Sequence, residues 1–363
     1  MNQLPIRKDL VGRSPYGAPQ IDVPVRLNTN ENPFGPSPEL VTELAKAASE
    51  LGPKLNRYPD RDANELRADL ADYLNAESQV RLSAENIWPA NGSNEVMQQL
   101  LQLFGGPDKT LVAFDPTYSM YEDYCRNTFT KYLSVSRNAD FTIDKAVIDK
   151  ALSLNPDIIV VTSPNNPTGT IIDMSDTDYL LANFAGVLVV DEAYAEFRPA
   201  GTPSAVSRLK SNPRLVVVRT MSKAFSYAGA RVGYAAANPE VVEAIQLVRL
   251  PYHLSTVTQA VARVALRFSE QLQSQLTLLR NERDDLATWL KGQGFEVAPS
   301  GANFLLFGTF GDRNLVWEQL VEQGVLIRQT GPNGWLRVSI GTPEENQAFK
   351  TALIQVTNRT NGK

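Results

Sequence analysis

The chain has 363 residues, beyond the roughly 250–300 at which one hydrophobic core stops growing, so two domains are expected. With 43% hydrophobic and 21% charged residues it reads as soluble and globular, and its 40 acidic and 35 basic residues (net charge −5) form no basic block suited to a nucleic acid or a membrane surface. A single cysteine, Cys125, and a single histidine, His253, exclude an internal disulfide and a Cys-rich metal site and all but exclude a His-based zinc site or a Ser-His-Asp triad; no metal is expected.

Demanding chemistry therefore falls to a lysine, carboxylates, tyrosines or a cofactor. The first residues, Met1 to Asp9, lack the apolar run of a signal peptide, and no apolar stretch approaches the ~20 residues that span a bilayer. A cytoplasmic protein is expected.

Residues 1–30 carry Gly12, Pro15, Gly17, Pro19 and Pro24 with little periodicity, which predicts an extended arm. Asn32 to Pro38 is a turn-rich joint, and Ser37-Pro38-Glu39 opens a helix with a hydroxyl cap, a first-turn proline and an early acid. From about 85 to 237, short apolar β-branched runs alternate with helical patterns. Thr110 to Phe114, Asp157 to Thr162, Val187 to Val190 and Leu215 to Arg219 are strands of the kind buried on both faces of an α/β sheet. Asn94 to Phe104 and Asp144 to Leu152 read as helices between them, and Gly229 to Ala237 as one further strand. Thr258 to Lys291 reads as one long amphipathic segment. Phe295 to Val297, Asn303 to Phe307, Val325 to Ile327 and Trp335 to Ile340 then alternate with one helix. The expected organisation is an arm (1–30), a large domain with a mostly parallel central sheet between helices (31–255), and a smaller α+β domain (256–363).

Sheets of this kind bind ligands beyond the ends of their strands, and four segments there stand out. They are Asn91-Gly92-Ser93-Asn94-Glu95, Ser163 to Gly169, Asp191-Glu192-Ala193-Tyr194 and Met221-Ser222-Lys223-Ala224-Phe225. Pyridoxal phosphate explains why these residue types belong together. Its aldehyde takes a lysine amine, supplied by Lys223. Its pyridine nitrogen stays protonated beside a buried carboxylate, Asp191. Tyr194 and Asn166 can donate to its phenolate oxygen. Its phosphate suits the helix start at Ser93-Asn94, with hydroxyls from Thr220 and Ser222 and the guanidinium of Arg231 completing the cup. Cys125 reads as an inert buried thiol, and His253 as structural, since the lysine already serves as base.

The four motifs, in this order, resemble the aspartate-aminotransferase-like family of pyridoxal-phosphate enzymes of fold type I. The finer resemblance is to its histidinol-phosphate branch, through Leu27-Asn28-Thr29-Asn30-Glu31-Asn32-Pro33, Asn56-Arg57-Tyr58-Pro59-Asp60, Asp191 to Tyr194 and Ser222 to Phe225. It extends from Tyr16 to about Asn346. The resemblance implies that Tyr118 stacks on the cofactor ring, and that Tyr58 reaches the phosphate of a neighbouring subunit in a homodimer. It implies that Tyr16 closes over substrate and that Asn32 and Tyr252 lie on the substrate side. Arg337 sits where related enzymes grip a carboxylate; in the histidinol-phosphate branch Arg328 and Arg337 are expected to hold the substrate's phosphate. The implied reaction is transamination of histidinol phosphate with 2-oxoglutarate, giving imidazole acetol phosphate and glutamate. An aromatic amino-acid aminotransferase is the alternative that shares every cofactor residue.

Overall fold

The computed structural model describes residues 4–361; the outermost residues of the arm and of the C-terminal unit, 1–3 and 362–363, lie outside the described residues. In chain order, β1 (Val25–Arg26), α1 (Pro38–Leu51) and α2 (Asn64–Ser78) precede the alternating region. There follow β2 (Ile87–Ala90), α3 (Ser93–Phe104), β3 (Thr110–Asp115), α4 (Met120–Asn127), β4 (Lys131–Ser136), α5 (Lys145–Ser153), β5 (Ile158–Thr162), α6 (Met174–Asn183), β6 (Val187–Asp191), β7 (Leu215–Thr220) and β8 (Gly233–Ala237). Helices α7 (Pro239–Ile245), α8 (Thr256–Arg267) and α9 (Ser269–Gly292) lead to β9 (Glu296–Val297), β10 (Phe304–Gly308), α10 (Arg313–Glu322), β11 (Val325–Leu326), β12 (Leu336–Ser339) and α11 (Pro343–Asn361).

The central sheet has the order β2-β8-β7-β6-β5-β3-β4. From β4 to β7 neighbouring strands are parallel, and β8 is antiparallel to both its neighbours. Every residue of β5 and β7 is buried, as expected of strands covered on both faces. The period of two sends Val216 and Val218 to the core under α3, α4 and α7, and Leu215 and Val217 to the larger core on the opposite face. The cap reading of α1 holds, for Ser37 accepts the Leu40 N–H with Pro38 in the first turn. A second, antiparallel sheet, β12-β10-β9, makes the smaller unit.

Three elements differ from the sequence reading. Val25–Arg26, inside the presumed arm, pairs in parallel with Val325–Leu326, and Leu27 is buried beside them. Two-residue strands are too short to show a period, and their partner lies 300 positions away. The segment Thr258 to Lys291 is two helices, because Phe268 leaves helical geometry and the two halves pack differently, α8 on α1 and α2, α9 on β9 and β10. The strand expected at Gly229 begins at Gly233, since residues before it turn through the left-handed conformation of Arg231. Among the described residues no helix is long and apolar enough to cross a membrane, and no group of acidic, histidine and cysteine side chains is arranged to hold a metal.

Candidate active site

The carboxyl ends of β3, β5, β6 and β7 open onto a cavity of about 280 Å³. It lies where the strand order changes direction between β3 and β5, the usual ligand position in such sheets. Of the residues expected at a site, Tyr16, Ser93, Asn94, Tyr118, Asn166 and Asp191 line it, and so do Tyr194, Thr220, Ser222, Lys223, Arg231, Arg328 and Arg337.

Lys223 follows β7 closely, and its Nζ donates to the Thr29 carbonyl at 2.9 Å. Burial pushes this amine down to about 8; Arg337 and Arg231 push the same way and Glu31 opposes them. Asp191 ends β6 and is buried. Its Oδ2 accepts from the Tyr121 hydroxyl at 2.7 Å and its Oδ1 from the Ala193 N–H at 3.1 Å. Burial holds its carboxyl above the usual carboxylate range despite those two bonds. Among the described residues no cation pairs with it, and a buried carboxylate of this kind suits a cationic ring nitrogen.

Two donors are free to face the cavity. The Tyr194 hydroxyl accepts from Asn30 Nδ2 at 2.9 Å, so its own proton points elsewhere. Asn166 accepts from Arg337 through Oδ1, which leaves its Nδ2 as a donor. At the far end, Ser93 and Asn94 begin α3, where backbone N–H groups have no intrahelical acceptor. Arg231 Nη1 donates to Ser222 Oγ at 3.2 Å, and Thr220 Oγ1 lies 3.0 Å from the same oxygen. The approach demands glycines: a Cβ on Gly92, at φ +84°, would stand 2.5 Å from Arg231 Nη2, and one on Gly233 2.2 Å from the Ser93 nitrogen. Hydroxyls, helix N–H groups and a guanidinium form a donor set that fits a phosphate; the lysine and uncompensated carboxylate fit a pyridoxal ring.

Two arginines of the smaller unit complete the wall. Arg328 and Arg337 bond to each other's backbone at 2.9 Å in both directions. Arg337 also donates to the Asn28 carbonyl at 2.8 Å, and burial pushes it down to about 10. Its Nε and the Nη1 of Arg328 are buried without a partner among the described residues. Tyr16 meets Tyr118 edge-on, with ring centroids 6.4 Å apart, and Tyr118 reaches Asn94 through its hydroxyl.

Three expected residues lie outside the cavity. Asn32 spends its side chain on the Ala224 carbonyl and the Phe34 N–H, closing the turn before α1. Tyr58 and Tyr252 stack on each other, centroids 4.5 Å apart, and both are exposed, as are Leu55, Leu247 and Leu250, which lie near them in the sequence. The sequence reading missed Asn28, Thr29 and Asn30 of the same motif as Asn32, and Tyr121. Tyr121 had a signal: it falls one helical turn after Tyr118, in a segment too short for a clear period. His253 stacks on Trp88 and bonds the Pro89 carbonyl, and burial pushes the Cys125 thiol up to about 12, so both match their structural readings. Beneath the site, fully buried Arg219 bonds Glu192 and Glu196 at 2.7 and 3.0 Å, tying the end of β6 to β7.

The model of the family described as aminotransferase class I and II matches residues 22–353. A histidinol-phosphate aminotransferase of Thermobifida fusca is 54% identical over 360 residues, covering 99% of this chain and 97% of its own. One from Bifidobacterium longum is 51% identical over 373 residues, covering 97% and 96%. Among solved structures, the histidinol-phosphate aminotransferase from Sinorhizobium meliloti in complex with pyridoxal-5'-phosphate superposes with a TM-score of 0.82 at 23% identity, covering 93% of this chain and 92% of that one. At that identity the likeness concerns the fold alone. The aspartate aminotransferase from Thermus thermophilus with maleate gives 0.79 at 27%, with the same coverage.

Proposed function

The chain belongs to the class I and II aminotransferase family, and on that premise we propose that it transfers the amino group of histidinol phosphate to 2-oxoglutarate, using pyridoxal phosphate and yielding imidazole acetol phosphate and glutamate. The observation that supports this substrate is the pair Arg328 and Arg337, whose unpartnered guanidinium nitrogens suit a dianionic phosphate. The relatives' names favour it over the aromatic amino-acid alternative.

When bound, pyridoxal phosphate supplies an electrophilic carbon for amines and a cationic ring that takes up the electron pair released at the substrate's Cα. Asp191 holds the proton on the ring nitrogen. Lys223 Nζ would anchor the cofactor and, once released from it, move the proton at the substrate's Cα. Positioned proton transfer of this kind contributes roughly 10²–10⁴-fold. Tyr194 and the Nδ2 of Asn166 donate to the phenolate oxygen, and Tyr118 covers the ring. Ser93, Asn94, Thr220, Ser222 and Arg231 hold the phosphate. Residues 31–255 thus carry the cofactor, while Tyr16 and the two arginines of the 256–363 unit enclose substrate and exclude water.

Tyr58 is not among the residues lining this cavity, and its exposed stack with Tyr252 suits contact with a second copy of the chain. A cytoplasmic homodimer, with Tyr58 reaching the partner's phosphate and Tyr252 beside it, is part of the proposal. The test is turnover of purified protein on histidinol phosphate and on phenylalanine, each with 2-oxoglutarate as acceptor. A clear kcat/KM preference for histidinol phosphate is expected, and a preference for phenylalanine rejects the reading.

A further inference from the structure

The segment Leu27 to Pro33 lines the cavity with Asn28, Thr29 and Asn30, of which Asn30 has no role in the chemistry above. Asn30 is buried and left-handed, at φ 56°, a conformation asparagine tolerates better than most residues. Its bonds form an ordered series. The Asn30 N–H donates to Ser339 Oγ at 2.9 Å, so the single proton of Ser339 is free to go to Asn30 Oδ1, also at 2.9 Å. That bond fixes which end of the amide faces which way: Nδ2 must point to Tyr194, where it donates to the hydroxyl at 2.9 Å. The Asn303 amide donates to the Asn30 carbonyl at 3.0 Å and holds the backbone as well. With its oxygen occupied by an incoming donor and no acceptor for its proton among the described residues, Tyr194 directs its O–H into the cavity.

We propose that Asn30 is a positioning residue for the cofactor: it sets the Tyr194 hydroxyl as a donor to the ring's phenolate oxygen, and through Ser339 and Asn303 makes that setting depend on the seating of the smaller unit. This rests on the reading of the cavity as a pyridoxal phosphate site with Tyr194 at the phenolate. A donor on that oxygen weakens its hold on the proton it shares with the nitrogen of Lys223. Loss of the donor tightens that hold and moves the pH midpoint of the bound chromophore upward. Replacement of the amide by a carboxylate does more, because Asn30→Asp can only accept from Tyr194 and so draws its proton away from the ring.

The experiment is a spectrophotometric pH titration of cofactor-loaded wild type, Asn30→Gly, Asn30→Asp, Tyr194→Phe and the Asn30→Gly/Tyr194→Phe double variant, with cofactor dissociation constants measured alongside. Glycine is chosen because it keeps the left-handed backbone without strain. A neutral hydrogen bond is worth about 0.5–1.5 kcal/mol and a pH unit about 1.4 kcal/mol, so Asn30→Gly should raise the midpoint by about half to one unit. Asn30→Asp should raise it further, and the double variant should match Tyr194→Phe. If Tyr194→Phe shifts the midpoint and both Asn30 variants do not, the proposal is overturned while the reading of the site stands. If Tyr194→Phe itself leaves the midpoint in place, the placement of Tyr194 at the phenolate is wrong and the proposal falls with it. Additive shifts in the double variant also overturn it, since the two residues then act separately.

Discussion

Tyr121 donates its hydroxyl proton to Oδ2 of Asp191 across 2.7 Å, joining α4 to the end of β6. The same hydroxyl lies 2.7 Å from Thr162 Oγ1, which is free to donate in return. The bond from Tyr121 favours the charged form of Asp191 in a buried position that otherwise favours its protonated form.

Tyr121→Phe leaves that carboxylate oxygen without its donor and should cost about 1–3 kcal/mol in the cofactor-free protein. The pH dependence follows from the raised carboxyl. Folded protein holds a proton that the unfolded chain releases, so stability falls as pH rises from about 3.8 through the raised folded value. The substitution removes a bond to the charged form and extends that fall. Denaturant unfolding should show a larger loss at neutral pH than near pH 4, and an equal loss at both would sink the assignment.

Lys223 should react at an unusually low pH. Below about 8 its amine is protonated and unreactive, and above it the neutral form attacks the cofactor's aldehyde. The association rate of pyridoxal phosphate, followed by visible absorbance, should therefore rise through a midpoint near 8 instead of the ordinary lysine range near 10. Borohydride should trap the label on a peptide containing residue 223, and a label elsewhere would be decisive against it.

The two arginines should separate in kinetics. The Arg328 guanidinium bonds one carbonyl, that of Gly17, and keeps Nη1 unpartnered, so Arg328→Ala should raise KM for histidinol phosphate about 10- to 100-fold, with kcat little changed. Arg337 also holds Asn166 and the Asn28 carbonyl, so Arg337→Ala should lower kcat as well. Neither loss should be as large for a phosphate-free aromatic amine. Equal losses on both substrates would leave the arginines a role in folding alone.

Arg219→Met isolates two buried carboxylates, Glu192 and Glu196, from their shared cation. Removing one partner of a buried ion pair costs about 3–5 kcal/mol, so a lower unfolding midpoint is expected even with cofactor bound. A stability like that of wild type would show that the network is rearranged without loss.

Short-range signals made much of the protein legible in its sequence. Strands such as Ile158–Thr162 and Leu215–Thr220 open on apolar β-branched runs, and the chemically distinctive residues lie at or just after the strand ends, so Asp191, Tyr194, Ser222 and Lys223 reach one cavity as soon as the strands lie parallel. Such signals span a few residues and depend on backbone period alone. What they could not reveal are choices between near-equal neighbours and pairings across hundreds of positions. Asn30 and Asn32 are the same residue type in one motif, and the left-handed turn at Asn30 sends the first to Tyr194 while the second closes a turn. Tyr121 meets Asp191 across 70 positions, and Val25 meets Val325 across 300. Contacts of that range are set by how helices and sheets pack, where a shift of one residue turns a side chain to the opposite face, and no local pattern encodes that register.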